Sequence, residues 1–528
     1  MLNCFKENSY GNRHHYFFHL TGLLLPTFCL AQESVFDLTL EQLQQVNVSV
    51  SSKVNLPLQL SPASVTTYNK QQLFEQGIHQ LADLADVSLG YSSYSIYGER
   101  VFETRGQKAG SFENNKHLLL LDGIRINHAR ANKAPIENEL PLWMMGKLEL
   151  LRGPASALYG QSAFLGVVSL QSDFTNENEL DAQVNYQGTA DGIRANFRGN
   201  FTSAIGHSYV AYSHFEKGSS DALVGPEFSP LQKYYDDQKA EFSYLRQKYD
   251  TKSLGQFTLG YIELSRQSGL GEHWSGDFSV EENQIDWVTK VSYLSWEKSI
   301  TSQINALVKL VNNSSSEQGV FSNENREQVS SGVPVTYSQY QVNVTAKLIE
   351  GEINWQLEEQ KSLILGGSYE QRQEQGDFFA TGFTEVDISQ KNMIAENISF
   401  FPREDSAKKI NQAIYFQYYD LLSNWYDIHL TAGIRYDKGE YLSDSFSQWS
   451  PRIALVKMLS TRLTLKGSYS SALRAPTLKE YLLNAEAKDF ISEQAQNPDR
   501  VLERLPEKLL AETIDSTELT LSYQKGEV

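Results

Sequence analysis

The sequence predicts a transmembrane antiparallel β-barrel that is preceded by a mixed α/β domain. Three observations support this fold class. The chain opens with an export signal, apolar and polar residues alternate with a period of two after about residue 180, and the predicted strand connections alternate between long and short. The mean hydropathy of −0.42 does not exclude a membrane location, because a barrel strand turns only every second side chain to lipid.

The first 31 residues predict a secretory signal peptide. Residues 17–30 form an apolar run that follows a basic start, and the small Ala31 precedes polar residues. Both cysteines, Cys4 and Cys29, lie within this segment. A mature chain without cysteine can form neither a disulfide framework nor a thiolate metal site.

The charge balance and the spacing of the histidines argue against a nucleic-acid-binding protein and against a metal-binding protein. Lys and Arg number 46 against 64 Asp and Glu, which gives a net charge of −18. No nucleic-acid partner is expected, because such a partner requires a basic surface. The histidines of the mature chain are scattered and show no metal-ligand spacing, so neither a metal site nor a cofactor is expected. An exported, acidic and tyrosine-rich chain suggests a bacterial envelope protein.

The region from residue 36 to 172 has mixed α/β character. Residues 70–84 carry apolar side chains at helical spacing, and residues 118–121 predict a buried strand that ends in the turn signal Asp122-Gly123. A second buried strand is expected over residues 167–170.

The region after residue 180 predicts long amphipathic strands. Alternation is clear over residues 304–310, 342–348, 429–436 and 462–469, which fits apolar side chains facing lipid and polar ones facing a wet lumen. About 14 strands are expected. The predicted long connections are 216–236, 266–284, 313–336, 373–410, 438–448 and 472–514, and the predicted short ones lie near 204–206, 249–253, 299–301, 357–361, 423–425 and 459–461.

Ordered motifs give the chain a resemblance to TonB-dependent outer-membrane receptors, which place a plug domain in the lumen of a barrel. The most specific stretch, residues 148–160, reads LELLRGPASALYG and resembles the family's "IEVLRGPASALYG" signature. Other plug-like stretches are residues 62–65, 77–90 with Ser88 in place of the usual proline, 104–106 and 121–123, and barrel-like stretches are 474–480, 497–499 and 505–519.

The resemblance implies a division into four parts: a signal peptide over residues 1–31, a periplasmic N-terminal segment over 32–60, a plug over 61–173 and a partial barrel over 180–528. It implies import of a scarce solute, most often a ferric siderophore, and this import is driven by TonB together with ExbB and ExbD. The resemblance also implies a monomer that lies in the outer-membrane lipid of a Gram-negative bacterium. It implies a small-molecule ligand, such as a metal chelate.

The TonB box of this family is a short extended stretch early in the mature chain that can add as a strand to a partner's sheet edge. Val46, Asn47, Val48, Ser49 and Val50 fit by position and alternation. The alternative is that these residues form the first strand of the plug.

Arginines of two plug motifs pair with wall glutamates in this family, which assigns that role here to Arg105 and Arg152. Glu518 matches one wall position, and Glu480 is the candidate for the second. Gly123, Gly153 and Gly160 are attributed to backbone geometry, and Asp122 with Gly123 to a turn, rather than to ligand contact. Pro154 and Tyr159 belong to the same plug motif.

About 14 strands are fewer than the 22 of outer-membrane transporters with a plugged lumen. The sequence is therefore expected to be C-terminally incomplete, as a fragment or an interrupted gene.

Several functional alternatives stay open at this stage. They are a receptor for cobalamin, haem or an oligosaccharide, and a truncated, non-functional remnant. A passive porin or adhesin is disfavoured by the plug motifs, and a barrel enzyme by the absence of a GxSxG motif.

Overall fold

The computed structural model describes most of the chain from Val46 onward. The described ranges are 46–96, 99–107, 114–187, 191–223, 233–271, 283–323, 335–386, 393–402, 407–441, 444–481 and 509–523. The predicted signal peptide and the motifs at 497–499 and 505–507 lie outside them.

Short elements build the region between residues 47 and 172, which comprises the N-terminal segment and the plug. Its strands are β1 (Asn47–Val48), β2 (Leu56–Pro57), β3 (Ser64–Asn69), β4 (Tyr91–Ile96), β5 (Glu99–Thr104), β6 (His117–Leu121), β7 (Ile124–Arg125), β8 (Met145–Arg152) and β9 (Gly166–Ser172). Its α-helices are α1 (Lys70–Glu75), α2 (Leu81–Val87) and α3 (Ser156–Tyr159), and 3₁₀ turns span Leu58–Leu60 and Leu142–Met144.

A five-stranded sheet in the order β3-β8-β9-β6-β7 forms the centre of the plug. Strands β6 and β9 pair in parallel, and both are almost fully buried because they form near-continuous apolar runs. Strands β1 and β2 pair only with each other. The helical pattern over 70–84 forms two helices rather than one, because Gly77 adopts a φ of +68° that ends α1.

None of the helices in the described part of the chain has the length and apolar character needed to cross a bilayer.

Long antiparallel strands form the second region. They are β10 (Glu179–Gln187), β11 (Gly192–Ser203), β12 (Gly206–Lys217), β13 (Ser220–Leu223), β14 (Lys233–Tyr234), β15 (Gln238–Thr251), β16 (Gly255–Gly269), β17 (Gln284–Ser299), β18 (Ile304–Asn323), β19 (Val335–Glu358), β20 (Lys361–Val386), β21 (Met393–Pro402), β22 (Lys408–Leu422), β23 (Ile428–Tyr441), β24 (Asp444–Ser460), β25 (Leu463–Arg474) and β26 (Glu512–Tyr523), with a 3₁₀ turn at Ser423–Trp425.

Fourteen of these strands form one continuous meander, which confirms the predicted number. The path runs from β10 through β11, β12, β15–β20 and β22–β25 to β26, while β21 pairs with the extended end of β20. Among the described residues, β10 and β26 are the two edges of this sheet.

The side chains follow the inside-out pattern expected of a membrane barrel. Along β11, Arg194, Asn196 and Arg198 are buried, whereas Ile193 and Phe197 are exposed. Polar side chains therefore face the lumen and apolar ones face outward, as predicted.

One stretch of β19 departs from this pattern. Val342, Val344 and Ala346 were expected on the lipid face, but they are buried in the lumen in a cluster that includes Ala129 of the plug. The outward face of the same strand carries Ile349 and Ile353 instead. Where an apolar plug surface lies in the lumen, the alternation of apolar and polar residues does not show which face of a strand points to lipid.

The predicted short turns match the structure, but strands occupy parts of at least four predicted long loops. Strand β18 continues to Asn323, β13 and β14 pair within the predicted loop 216–236, and β20 and β21 form a hairpin within the predicted loop 373–410. Strands β23 and β24 extend through 438–441 and 444–448 of the predicted loop 438–448. Strands that extend past the bilayer need no apolar face, so their sequences resemble loops.

We expect Ile434→Arg to destabilise the barrel by about 2–4 kcal/mol, because Ile434 is exposed near the middle of β23 and an arginine there would face hydrocarbon. Urea unfolding in lipid vesicles measures the change, with Ile434→Leu as the matched control. Equal midpoints for the two variants would contradict the outward assignment of this face.

Candidate functional site

The signature segment 148–160 attaches the plug to the barrel wall. Helix α3 packs against β22–β25, and the Ser156 hydroxyl donates to the Leu473 carbonyl at 3.4 Å and accepts from the Leu473 amide at 3.3 Å. At Gly160, with a φ of +78°, a Cβ would lie 2.8 Å from the guanidinium of Arg435. Glycine is therefore required here both for the backbone conformation and for the close approach of the wall.

Arg105 and Glu518 form an ion pair between plug and wall. The Arg105 guanidinium donates to the Glu518 carboxylate, which also accepts from the Ser64 hydroxyl at 3.2 Å. A Cβ on Gly153, whose φ is +99°, would lie 3.0 Å from the same carboxylate. The glycine of the Gly153-Pro154 pair thus leaves room for the wall glutamate.

The structure places Arg152 and Glu480 differently from expectation. Arg152 donates to the Leu89 carbonyl at 2.7 Å and forms no ion pair with the described carboxylates. Glu480 accepts from Arg474 at 2.9 Å and from the Thr477 amide at 2.7 Å, so both of these partners belong to the barrel region and not to the plug. Glu480 follows Arg474 by only six positions, and this local pairing satisfies both charges.

Asp122 contacts the wall in addition to forming the β6–β7 turn. Its carboxylate accepts from the Ser172 amide and hydroxyl, from the Tyr244 hydroxyl at 2.6 Å and from Arg246 at 3.1 Å. The turn was expected from the Asp-Gly pair, but nothing in the sequence indicates the two wall partners on β15.

A deeper charged cluster was missed entirely by sequence reasoning. Arg266 of β16, with 2% of its side chain exposed, pairs with Glu137, with Glu99 at 2.9 Å and with Glu139 at 3.7 Å. Burial raises the pKa of Glu139, although Arg266 opposes this effect. Further pairs that join plug and wall are Arg130–Glu374 at 3.4 Å, Lys116–Glu512 at 3.0 Å and Arg125–Glu370 at 3.7 Å.

The candidate TonB box lies docked against the plug. The Glu149 carboxylate accepts from the amides of Ser49 and Val50 at 3.1 and 2.9 Å, and the Tyr159 hydroxyl donates to the Val50 carbonyl at 2.9 Å. Val48 and Val50 are buried. Asn47 and Val48 pair with Pro57 and Leu56 and not with the central plug sheet.

A cavity of about 520 Å³ separates the plug sheet from the wall next to this segment. Strands β6 and β9 line one side, and β18–β20 line the other. Side chains of both charge signs face it, so it suits water or a hydrophilic solute. The charged lining residues are Lys53, Asp122, Arg125, Arg246, Lys309, Glu350, Glu352 and Arg435.

The described part of the chain contains no group of three or more His, Cys, Asp or Glu side chains placed to hold a metal ion. Two plug histidines are instead buried as neutral groups. Burial lowers the pKa of His117 to about 3 and that of His128 to about 4. His117 contacts the Thr104 hydroxyl at 2.6 Å and packs edge-on against Phe102.

Two family comparisons cover the plug and the barrel. Residues 57–167 match the TonB-dependent Receptor Plug Domain, and residues 150–528 match the family described as TonB dependent receptor-like, beta-barrel. The chain belongs to the TonB-dependent receptor family.

Curated relatives of this TonB-dependent receptor are distant. It is 25% identical over 259 residues to the vitamin B12 transporter of Vibrio vulnificus, covering 48% of this chain and 40% of that protein. It is 30% identical over 154 residues to the ferrioxamine B receptor of Salmonella typhimurium, covering 29% of this chain and 21% of that protein. The matches therefore span less than half the length of either relative.

Solved receptors share the fold. The unliganded ferric citrate transporter has a TM-score of 0.66 at 11% identity, over 88% of this chain and 68% of that one. The ferripyoverdine receptor of Pseudomonas aeruginosa has a TM-score of 0.64 at 13% identity, over 81% and 59%. At these identities the likeness concerns the fold alone.

We expect the buried Arg266 to stabilise plug docking far more than Arg105 does. Arg266→Met leaves three plug carboxylates without their arginine, at a cost of about 3–5 kcal/mol. Arg105 is 38% exposed, so Arg105→Met should cost about 1 kcal/mol or less. Hydrogen exchange of β5 and β6 in the membrane-embedded receptor measures the stability cost of each variant. Arg462→Met, at an exposed arginine, is the control. Equal costs for the two variants would contradict this ranking.

Plug stability should fall with acidity through His117. The buried ring stays neutral down to about pH 3, whereas an exposed imidazole titrates near 6.5, so the unfolded plug binds more protons between these values. The stabilisation is complete above pH 6.5 and declines by about 1.4 kcal/mol per pH unit as the pH falls. Hydrogen-exchange protection of β6 at pH 7 and pH 5 tests this. His117→Gln should reduce the slope and leave the share that His128 contributes, and an unchanged slope would refute the assignment.

Proposed function

We propose that this chain acts as a TonB-dependent importer that moves a scarce solute across the outer membrane of a Gram-negative bacterium. The observation that carries the proposal is a plug held in a polar lumen by paired charges, with the N-terminal segment docked where plug and wall meet. Ion pairs suit a plug that must stay in place yet move under force, because their Coulomb gain is offset by desolvation.

TonB, driven by ExbB and ExbD, would pull on Val46–Val50. This segment is already extended at Asn47 and Val48, and its release from Glu149 and Lys147 would free a backbone edge to which another strand can add. Export by the predicted signal peptide, insertion into outer-membrane lipid and a monomeric state belong to the same proposal.

A ferric siderophore or a similar iron chelate is the leading substrate. The ferrioxamine B receptor among the relatives supports this choice. Cobalamin is the second candidate, because the vitamin B12 transporter matches a longer stretch of the chain.

We expect Val48→Pro to abolish energy-dependent uptake. Proline removes a backbone N–H and resists strand pairing, so the segment could not add to TonB. Uptake of radiolabelled ferrioxamine B, ferric citrate and cyanocobalamin is measured in cells with and without TonB. Exposed Asn47→Ser is the matched control and should retain uptake.

The outcomes of this uptake assay distinguish an importer from a passive pore and from a protein that takes up none of the probes. Uptake that persists without TonB would mean a passive pore. A lack of uptake for every probe, in cells where the protein is present in the outer membrane, would exclude these three solutes and leave haem, an oligosaccharide or a non-functional remnant.

A further inference from the structure

Residues Ser49–Lys53 form a short turn between plug and wall, referred to below as the gate segment. On the plug side, Glu149 and Tyr159 bind the backbone of Ser49 and Val50. On the wall side, Arg452 donates to the Ser51 carbonyl at 2.8 Å, and the Gln417 amide donates to the Ser52 carbonyl. Ser51 and Ser52 are fully buried.

Lys53 is the strongest wall contact of this segment. Its ammonium lies 3.1 Å from Glu350, 2.6 Å from Glu352 and 2.8 Å from the Tyr415 hydroxyl. It also lies over the Tyr415 ring at 4.4 Å. Burial alone would lower the pKa of Lys53, but the two carboxylates raise it well above its usual value. The lysine is therefore charged at every physiological pH.

The backbone at Lys53 is strained for a residue that is not glycine. Its φ is +57°, in the left-handed region, and its amide donates to the Ser49 carbonyl at 2.7 Å. Such conformations persist only where surrounding contacts hold them. Here the hydrogen bonds and ion pairs of the Lys53 side chain all come from the barrel wall, while the plug contributes the Tyr159 ring at 5.6 Å.

The gate segment also lines the charged cavity described above. Ser49, Val50 and Lys53 belong to the cavity lining, together with Ser368 and Glu350 of the wall. Withdrawal of these residues would remove one side of the cavity and a positive charge from it.

We propose that the gate segment closes a passage for a hydrophilic solute between the plug sheet and strands β18–β20, and that Lys53 is its latch. This inference rests on the proposed function and adds where the passage runs and which contact keeps it shut. The central plug sheet stays folded when the latch opens, because strands β3, β8, β9, β6 and β7 pair without any residue of the gate segment.

Cysteine accessibility of the full chain in outer membranes tests the latch, in cells that lack TonB. The predicted mature chain has no cysteine, so Ser51→Cys provides a unique buried thiol. We expect Lys53→Gln to raise its rate of labelling by a membrane-impermeant maleimide at least tenfold. Lys252→Gln, at an exposed lysine in the β15–β16 turn, should leave the rate unchanged.

Charge exchange separates a latch from a general packing effect. The double variant Lys53→Glu with Glu352→Lys should restore slow labelling, because it rebuilds an ion pair at the same place. Where Lys53→Gln fails to insert, Glu352→Gln is compared instead, with a smaller increase expected. Unchanged labelling in the inserted variant, or no rescue by the exchange, would overturn the latch.

Two further cysteine positions test the passage separately from the latch. With Lys53→Gln, a cysteine at Ser368 in the cavity wall should become accessible, whereas one at Ser471, buried on β25 away from the cavity, should not. Equal labelling of both positions would overturn the passage. Latch opening without any TonB-dependent uptake would refute the proposed function and leave the latch standing.

Discussion

Charge pairing across the boundary between plug and wall is the interaction on which the rest of this structure depends. A barrel in lipid presents apolar side chains outward, so the alternate side chains, among them Arg194 and Arg198, are left to line the lumen. A domain that fills such a lumen must supply partners for these charges, because an unpaired buried charge is costly. The plug supplies Asp122, Glu99 and Glu137 to wall arginines, and the wall supplies Glu518 and Glu374 to plug arginines.

The same requirement explains the glycines of the signature. Gly153 and Gly160 lie where wall side chains reach the plug backbone, and both adopt positive φ. The contacts differ in depth: the Arg266 cluster is sealed from water, while the Arg105 pair is partly exposed. The N-terminal segment is held by few side chains, with Glu149 of the plug on one side and Glu352 of the wall, which binds Lys53, on the other. A pull on the N-terminus would therefore meet these contacts before it reached the plug sheet.

Features set by local sequence could be predicted, and features set by distant pairing could not. The strand number, the outward face of β23 and the turn at Asp122-Gly123 follow from alternation and turn chemistry. The burial of Val344 depends on a plug surface more than 200 positions away. Lys53 and Glu352 are separated by 299 positions, and neither belongs to a motif. Their partnership appears only once the strands are wrapped around the plug.

Single-molecule pulling on the N-terminus of the full chain in outer-membrane patches tests most directly whether the plug is held in this graded way. We expect an early, low-force event that lengthens the chain by at most about 30 Å, which is the fully extended length of the segment from Val46 to Lys53 at about 3.6 Å per residue. Unfolding of the plug sheet should follow as a separate event at higher force. Extraction of the whole plug in one step would contradict the account.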